Sequence, residues 1–323
     1  MFNRRDLLAW VLGASLGGTI QAQTPFPSKP IRIVVPFGAG GIADLTARAV
    51  GERLSQRLGQ AVVIENRPSA GGIVAGDLVA KSEPDGHTLL LMSNGTAVSA
   101  GLFKSLPFNP RTDFAPISLL GLFDMAVVVP DNSPYKSMAE LLAYAKANPG
   151  KLNIGTINIG STQNLAAELM RSQANLDAQI VPFNGTPALL NALRGGQIDL
   201  AVEILGPLKP QITAKAVRLL AVMGEQRPTD MPEVPVVKEL PSMGGLVISS
   251  WNALAAPAKT PKTVVDRLAN EVNQALSDPE LVKRLAGFQV MAKASSPAQL
   301  GQLLDRDIVR WSEVIKKAGI PLQ

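Results

Sequence analysis

The chain has 323 residues and a formal charge of +5, from 31 Lys and Arg against 26 Asp and Glu, with one histidine, no cysteine and 4% aromatics. No cysteine means no disulfide, thiol nucleophile, zinc–thiolate site or lipoprotein anchor, and a single histidine nearly removes hydrolytic triads and histidine-based metal sites. The charges are scattered, without a basic run, which counts against a nucleic-acid partner; the length allows two domains.

The chain opens "MFNRRDLLAWVLGASLGGTIQAQ". Arg4 and Arg5 make a basic start, and Leu7 to Ile20 is a largely apolar run, too short for a bilayer span of about 20 residues. "IQA" places Ala22 before a cleavage point, so residues 1–22 read as a signal peptide, and the mature protein as periplasmic. The paired arginines leave twin-arginine and general export both open. "GASLG" matches the G-x-S-x-G hydrolase elbow, but inside a leader it carries no chemistry.

Beyond the leader, short apolar strands alternate with amphipathic helices. Strands are expected at 31–35, 61–65, 88–92, 116–120, 125–130, 152–156, 179–183, 198–203, 217–222 and 247–256. Most are continuous apolar runs, as in strands buried on both faces of a mostly parallel sheet. His87 follows a Pro-Asp-Gly turn and is expected to be an exposed turn-end residue. Ser137 and Glu140 suggest a capping box, closed by Pro149-Gly150. In "GTPALLNALRGG", Thr186 is expected to cap, with Pro187 at the first helical position. Thr260-Pro261 starts a helix with Val264, Leu268, Val272 and Leu276 on one face. Leu300, Leu304, Ile308, Trp311 and Ile315 form another such stripe, which makes Trp311 a core residue.

The α/β alternation contains a pair of similar units about 120 residues apart. "IRIVVPFGAGGIADLTARAV" and "LNIGTINIGSTQNLAAELM" each read strand, glycine-containing loop, helix. Gly38-x-Gly40-x-x-Ala43 satisfies a dinucleotide fingerprint, with Glu65 where a ribose-binding acid belongs. Against it, Pro36 and Phe37 separate the strand from the first glycine, and "NRPSAGG" after Glu65 crowds the adenosine position. The other reading is an anion cradle: helix N-termini carry unpaired N–H groups and partial positive charge, and glycines let a ligand come close.

Six segments bear a resemblance in order: "PSKPIRIVVPFGAGGIAD", "LGQAVVIENRPSAGG", "AKSEPDGHTLLL", "LPFNPRTDFAPISLL", "IVPFNGTPALLNALRGGQIDL" and "SSWNALAAPAKTPKTVVDRL". Together they resemble the Bug family, extracytoplasmic solute-binding proteins of tripartite tricarboxylate transporters. The resemblance runs from Pro27 to the C-terminus, and the "ENRPxAGG" block is its most diagnostic part. It implies a two-lobed type II periplasmic binding protein fold, each lobe a mostly parallel sheet flanked by helices. Lobe one would be 24–124 plus 249–323 and lobe two 125–248, with crossings near Phe123–Ala126 and Val247–Trp251.

The same resemblance implies a small carboxylate held between two loops. Phe37, Gly38, Ala39, Gly40 and Gly41 would form one side, and Thr156, Ile157, Asn158, Gly160, Ser161 and Thr162 the other. Asp44 aligns with the family's acid at the helix start, where capping and loop order suit it best. Ser93, Asn94 and Thr96 would add polar contacts from lobe one, and the segment 183–186, with Asn184, Gly185 and Thr186, from lobe two. The chain departs from the pattern in four places. Gly38 and Ala39 replace two prolines, Asn164 a histidine, Phe183-Asn184 the usual Tyr-Lys, and Glu203-Ile204 an Asp-Asn pair. Trp251, at the return crossing, is expected to pack rather than stack on ligand.

The implied function is capture by hinge closure and delivery to membrane permease subunits, by a monomer with no cofactor, metal site or catalytic residues. A secreted dinucleotide-dependent oxidoreductase using the GxGxxA loop is the alternative, and a sensor's ligand subunit a third reading. Tricarboxylates, dicarboxylates, acidic amino acids and aromatic acids all stay open. Glu203 ends a strand at the expected cleft. It would repel an anion unless it pairs with a protein cation or meets an amino or hydroxyl group on the ligand; a salt bridge or an exposed strand end is equally open.

Overall fold

A computed structural model describes residues 26–323. The expected leader, its cleavage point and the "GASLG" match lie outside those residues. The described residues form ten strands and ten α-helices. The first run is β1 (Ile31–Val35), α1 (Ile42–Leu58), β2 (Val62–Asn66), α2 (Ile73–Ala80), β3 (Thr88–Ser93), α3 (Asn94–Leu102) and β4 (Phe114–Pro130). The second is α4 (Met138–Ala147), β5 (Leu152–Ile157), α5 (Thr162–Gln173), β6 (Ala178–Phe183), α6 (Thr186–Arg194), β7 (Leu200–Ile204), α7 (Leu205–Thr213) and β8 (Val217–Val222). The chain then returns through β9 (Ser249–Pro257), α8 (Lys262–Ala275), α9 (Pro279–Gly287), β10 (Met291–Ala292) and α10 (Pro297–Lys317).

The strands make two half-sheets joined along β4. The first runs β2-β1-β3-β9-β4, with β10 on the far side of β4. The second runs β4-β7-β5-β6, with β8 also on β4. Parallel pairs occur where strand–helix units repeat, at β1 with β2 and β3 and at β5 with β6 and β7. Every antiparallel pair involves β4 or β9. A parallel neighbour needs a helical crossover, whereas β4 runs directly from one half-sheet into the other and β9 begins where the chain has returned to the first.

β4 is one strand where the sequence suggests two. Gly121 to Asp124 look like a break, yet each keeps a partner in β9, ending with Asp124 opposite Ser249. From Met125 onward the partners are β7 and β8. The backbone therefore stays extended while its neighbours change.

The helices pack as their stripes predict. In α10, Leu300, Leu304, Ile308, Trp311 and Ile315 are all buried. Each such aliphatic side chain contributes on the order of 1.5–3 kcal/mol by leaving water. Trp251 is buried too, its Nε1–H donating to Asp307 Oδ2 at 2.8 Å.

Three local readings are corrected. His87 is not exposed: residues 26–28 fold back over its turn. Phe26 meets the ring edge-on with centroids 4.9 Å apart, and Ser28 N–H donates to Nε2 at 3.2 Å. Thr186 does not cap α6. Gly185 does, at φ 140°, a backbone angle that favours glycine, which frees the Thr186 hydroxyl for another partner. Ser137 caps α4 as expected, but Glu140 reaches back to the Lys136 N–H rather than to Ser137.

Candidate functional site

The N-termini of α1, α3, α5 and α6 gather where the two half-sheets face each other. The loop at 36–41 is held from behind. Asp44 Oδ2 accepts the Gly40 N–H at 2.9 Å and Arg48 Nε at 3.0 Å. Arg48 Nη2 donates to Asn66 Oδ1 at 3.2 Å, and Asn66 Nδ2 donates to the Phe37 carbonyl at 3.1 Å. Burial pushes the Asp44 carboxyl up, but the Arg48 hydrogen bond, the Gly40 N–H and Asn66 outweigh it, so it titrates below the usual aspartate range. Asp44 thus orders the loop. Gly41 caps α1 without any side-chain bond, so the first N–H groups of α1 are left for another acceptor.

The second loop is held by neutral groups. Ser161 Oγ accepts the Asn164 N–H at 3.1 Å, and Asn164 Nδ2 donates to Thr156 Oγ1 at 3.3 Å. Ser161 N–H closes the turn on the Asn158 carbonyl at 3.0 Å.

Contacts bridge the two half-sheets. Gly71 N–H donates to the Ile159 carbonyl at 2.7 Å, and Ser99 Oγ to the Gly160 carbonyl at 3.3 Å. Trp311 Nε1–H donates to Asn94 Oδ1 at 2.7 Å, which turns Asn94 Nδ2 towards Thr162 Oγ1 at 3.2 Å. Thr162 also meets Ser250 Oγ at 3.2 Å. Gly38 comes so close to the Asn184 carbonyl that a Cβ on it would sit 2.5 Å from that oxygen. The cleft is closed.

It encloses a narrow pocket with about 20 Å³ of free volume. From the first half-sheet, Phe37, Gly38, Gly41, Ser93, Ser250 and Asn252 line it. Ile157, Thr162, Gln163, Gly185, Thr186 and Ile204 line it from the second. No lysine, arginine, aspartate or glutamate is among the lining residues. The Asn252 side-chain nitrogen is buried without a partner among the described residues, a deficit worth about 1–3 kcal/mol unless a ligand fills it. A second space of about 20 Å³ shares Phe37 and Ser93 and adds Thr96, Asn158, Gly160 and Ser161.

So Phe37, Gly38, Gly41, Ser93, Thr162 and Gly185 meet at the first pocket, and Thr96, Asn158, Gly160 and Ser161 at the second. Ala39, Gly40, Asp44, Asn94, Thr156, Asn184 and Glu203 line neither. Ala39, Gly40 and Asn184 are exposed; Asp44, Asn94, Thr156 and Glu203 are buried behind the walls.

Glu203 has neither a cation nor an exposed position. It is 1% exposed. Its Oε1 accepts Gln163 Nε2 and the Ile204 N–H, both at 2.7 Å, and its Oε2 accepts the Thr186 hydroxyl at 2.8 Å. Burial pushes its carboxyl up, and these three bonds offset only part of that.

Gln163, Ser250 and Asn252 are wall residues that the sequence reading did not place there. Ser250 and Asn252 had a signal: two polar residues two apart in an apolar strand share one face. Gln163 had none beyond its place in the first turn of α5.

A family model described as the tripartite tricarboxylate transporter family receptor matches residues 46–320. The chain belongs to this family. BugT of Bordetella pertussis is 30% identical over 316 residues, 97% of this chain and 96% of that protein. Among solved structures, the periplasmic binding protein BugD is 31% identical with a TM-score of 0.88, over 92% of this chain and 100% of BugD. MatC from Rhodopseudomonas palustris, solved with bound malate, is 31% identical with a TM-score of 0.85, over 90% of this chain and 100% of MatC. A protein solved with adipate, from R. palustris, is 30% identical with a TM-score of 0.88, over 92% of this chain and 99% of its own.

The chain is therefore a solute-binding receptor with the two-lobed binding-protein fold, and not an enzyme. The oxidoreductase alternative fails on the residues as well. Glu65, its ribose acid, is taken by Arg67 at 2.5 Å and Arg32 at 3.1 Å, and the Gly38 loop abuts Asn184 where a pyrophosphate would need room.

Proposed function

We propose that this receptor works in the periplasm and closes on a small carboxylate, which it presents to the permease subunits of a tripartite tricarboxylate transporter. The observation that carries the reading is the composition of the closed pocket: uncapped N–H groups of α1 and the unpartnered Asn252 nitrogen, with no charged side chain on the wall. Backbone N–H groups at helix N-termini hold an anion without a counter-ion. The malate and adipate of the related structures are small carboxylates.

In this reading the lobes are residues 24–124 plus 249–323 and residues 125–248. They pivot where β4 changes partners after Asp124 and where β9 begins at Ser249. Phe37, Gly38, Gly41, Ser93 and Asn252 hold the acid from lobe one, and Thr162, Gln163, Gly185 and Thr186 complete the site on closing. Loop-to-loop contacts such as Gly71 to Ile159 form only then, so a permease can tell a loaded receptor from an empty one.

Thermal melting of ligand-free receptor against di- and tricarboxylates, acidic amino acids and aromatic acids tests this, with inorganic phosphate and neutral sugars as controls. A true ligand at 100 times its Kd adds about 2.7 kcal/mol of stability. If no acid raises the melting temperature while a sugar or phosphate does, the carboxylate reading is wrong.

A further inference from the structure

We propose that the pocket selects acids carrying a hydrogen-bond donor, a hydroxyl or ammonium group beside the carboxylate, and that Glu203 sets this preference from behind the wall as a positioning residue. This rests on the carboxylate reading above and narrows it to one class.

The argument is a matter of donors and acceptors. Glu203 Oε1 already accepts the Ile204 N–H at 2.7 Å, so it stands as an acceptor towards Gln163 as well. Gln163 must therefore turn its NH₂ to Glu203 Oε1, because the reverse orientation sets a carbonyl oxygen against a carboxylate oxygen. Its own Oε1 is then directed elsewhere and accepts nothing from the described residues. Thr186 has one hydroxyl proton and spends it on Glu203 Oε2, which leaves its Oγ1 lone pairs. That oxygen faces the opposite lobe, 3.1 Å from where a Cβ on Gly41 would lie. Gln163 and Thr186 both line the pocket. The third donor to Glu203, the Ile204 N–H, holds the carboxylate in place at 2.7 Å.

The lobe-two side chains thus offer the ligand acceptors, while Asn252 and the α1 N–H groups offer donors. A plain acid would place CH₂ against Gln163 Oε1 and Thr186 Oγ1 and leave both unpaired. A hydroxyl or ammonium on the neighbouring carbon satisfies them. No lysine or arginine lines the pocket to take that place.

Glu203→Gln tests the assignment because it reverses one bond. The new amide still accepts from Gln163 and Ile204 through its oxygen, but its NH₂ donates to Thr186. The Thr186 proton then points into the pocket, and an acceptor becomes a donor. Calorimetric titration would use acids of matched skeleton: succinate with L-malate and L-aspartate, and glutarate with L-2-hydroxyglutarate and L-glutamate. In the native receptor, at least one substituted acid should bind about tenfold or more tighter than its plain partner, the worth of one well-placed hydrogen bond. In Glu203→Gln that ratio should fall towards one. The ratio is the readout because a general loss of folded or closed protein cancels from it. Should Glu203→Gln not fold, Gln163→Met removes the other acceptor and should lower the same ratio. Plain and substituted acids binding the native receptor alike, or a ratio that survives the substitution, would overturn the inference and leave the carboxylate reading standing. If none of the six acids nor any other in the melting panel binds, that reading falls and takes the inference with it.

Discussion

The two strand–loop–helix units, β1 to α1 and β5 to α5, look alike in sequence and are built on different chemistry. The first loop hangs on charge: Asp44 between Arg48 and the Gly40 N–H, with Asn66 relaying the hold to Phe37. The second hangs on hydroxyls and an amide, Ser161, Thr156 and Asn164. The helix ends differ as well. Gly41 leaves the first N–H groups of α1 uncapped, whereas Ser161 takes one N–H of α5 for itself. On the proposed carboxylate reading, the ligand finds more free donors in the first unit. The second unit is the better finished helix and serves as the surface against which the first closes. Similar backbone motifs can therefore divide a task, one side offering donors and the other shape.

The comparison breaks most visibly at Gly38. Its close approach to the Asn184 carbonyl leaves no room for a methyl group. Gly38→Ala should lower ligand affinity about 10–100-fold, since forcing an extra carbon into a tight contact costs about 1–3 kcal/mol. The ligand-free protein should melt near the native temperature, because the clash exists only in the closed form. Calorimetry together with a melting curve checks both halves, and affinity within twofold of native would mean that the bound form does not close this far.

A smaller effect separates the two units by pH. Asp44→Asn should cost about 1–2 kcal/mol near neutral pH, the lower part of the range for hydrogen bonds to a charged group because Arg48 is half exposed. The folded Asp44 carboxyl titrates below its unfolded value, so its contribution is complete above the usual aspartate pKa of about 3.9 and is lost as pH falls through the lower folded value. Native and variant melting temperatures should therefore converge in strong acid. A constant gap down to pH 2 would show that the charge does not hold the loop.

Smallest is Ser161→Ala, which removes the α5 cap and should cost about 1 kcal/mol. No titrating group takes part, so the loss should be the same from pH 4 to pH 8 in denaturant unfolding. A loss that grows with pH would tie this loop to a charge after all.

How much of this the sequence revealed depends on the distance over which the information acts. The α10 stripe and the Ser137 cap were legible because they are local patterns of side chain and backbone. The opening loop was legible as strand, glycine turn and helix start for the same reason. β4 was not legible as one strand, because only its pairing with β9 keeps Gly121 to Asp124 extended. His87 was misread because its cover comes from Phe26, which the turn itself does not announce. Glu203 was read correctly as a strand-end acid near the cleft, but its partners, Gln163 and Thr186, lie 40 and 17 residues away. Pairing at that range is a property of the fold.

The place of β9 sets an order for making the molecule. It lies between β3 and β4 and pairs antiparallel with both. Until β9, about four-fifths of the way along the chain, docks, β3 has an open edge, and so does the N-terminal half of β4 on the side that β9 will cover. The second half-sheet has no such wait, since β4 to β8 are contiguous in sequence. The internal lobe can thus complete its sheet first, and the lobe that holds both ends of the described chain must finish last. An unpaired strand edge is a template for pairing with other chains. Newly made receptor is most exposed to misassembly in the interval before β9 docks.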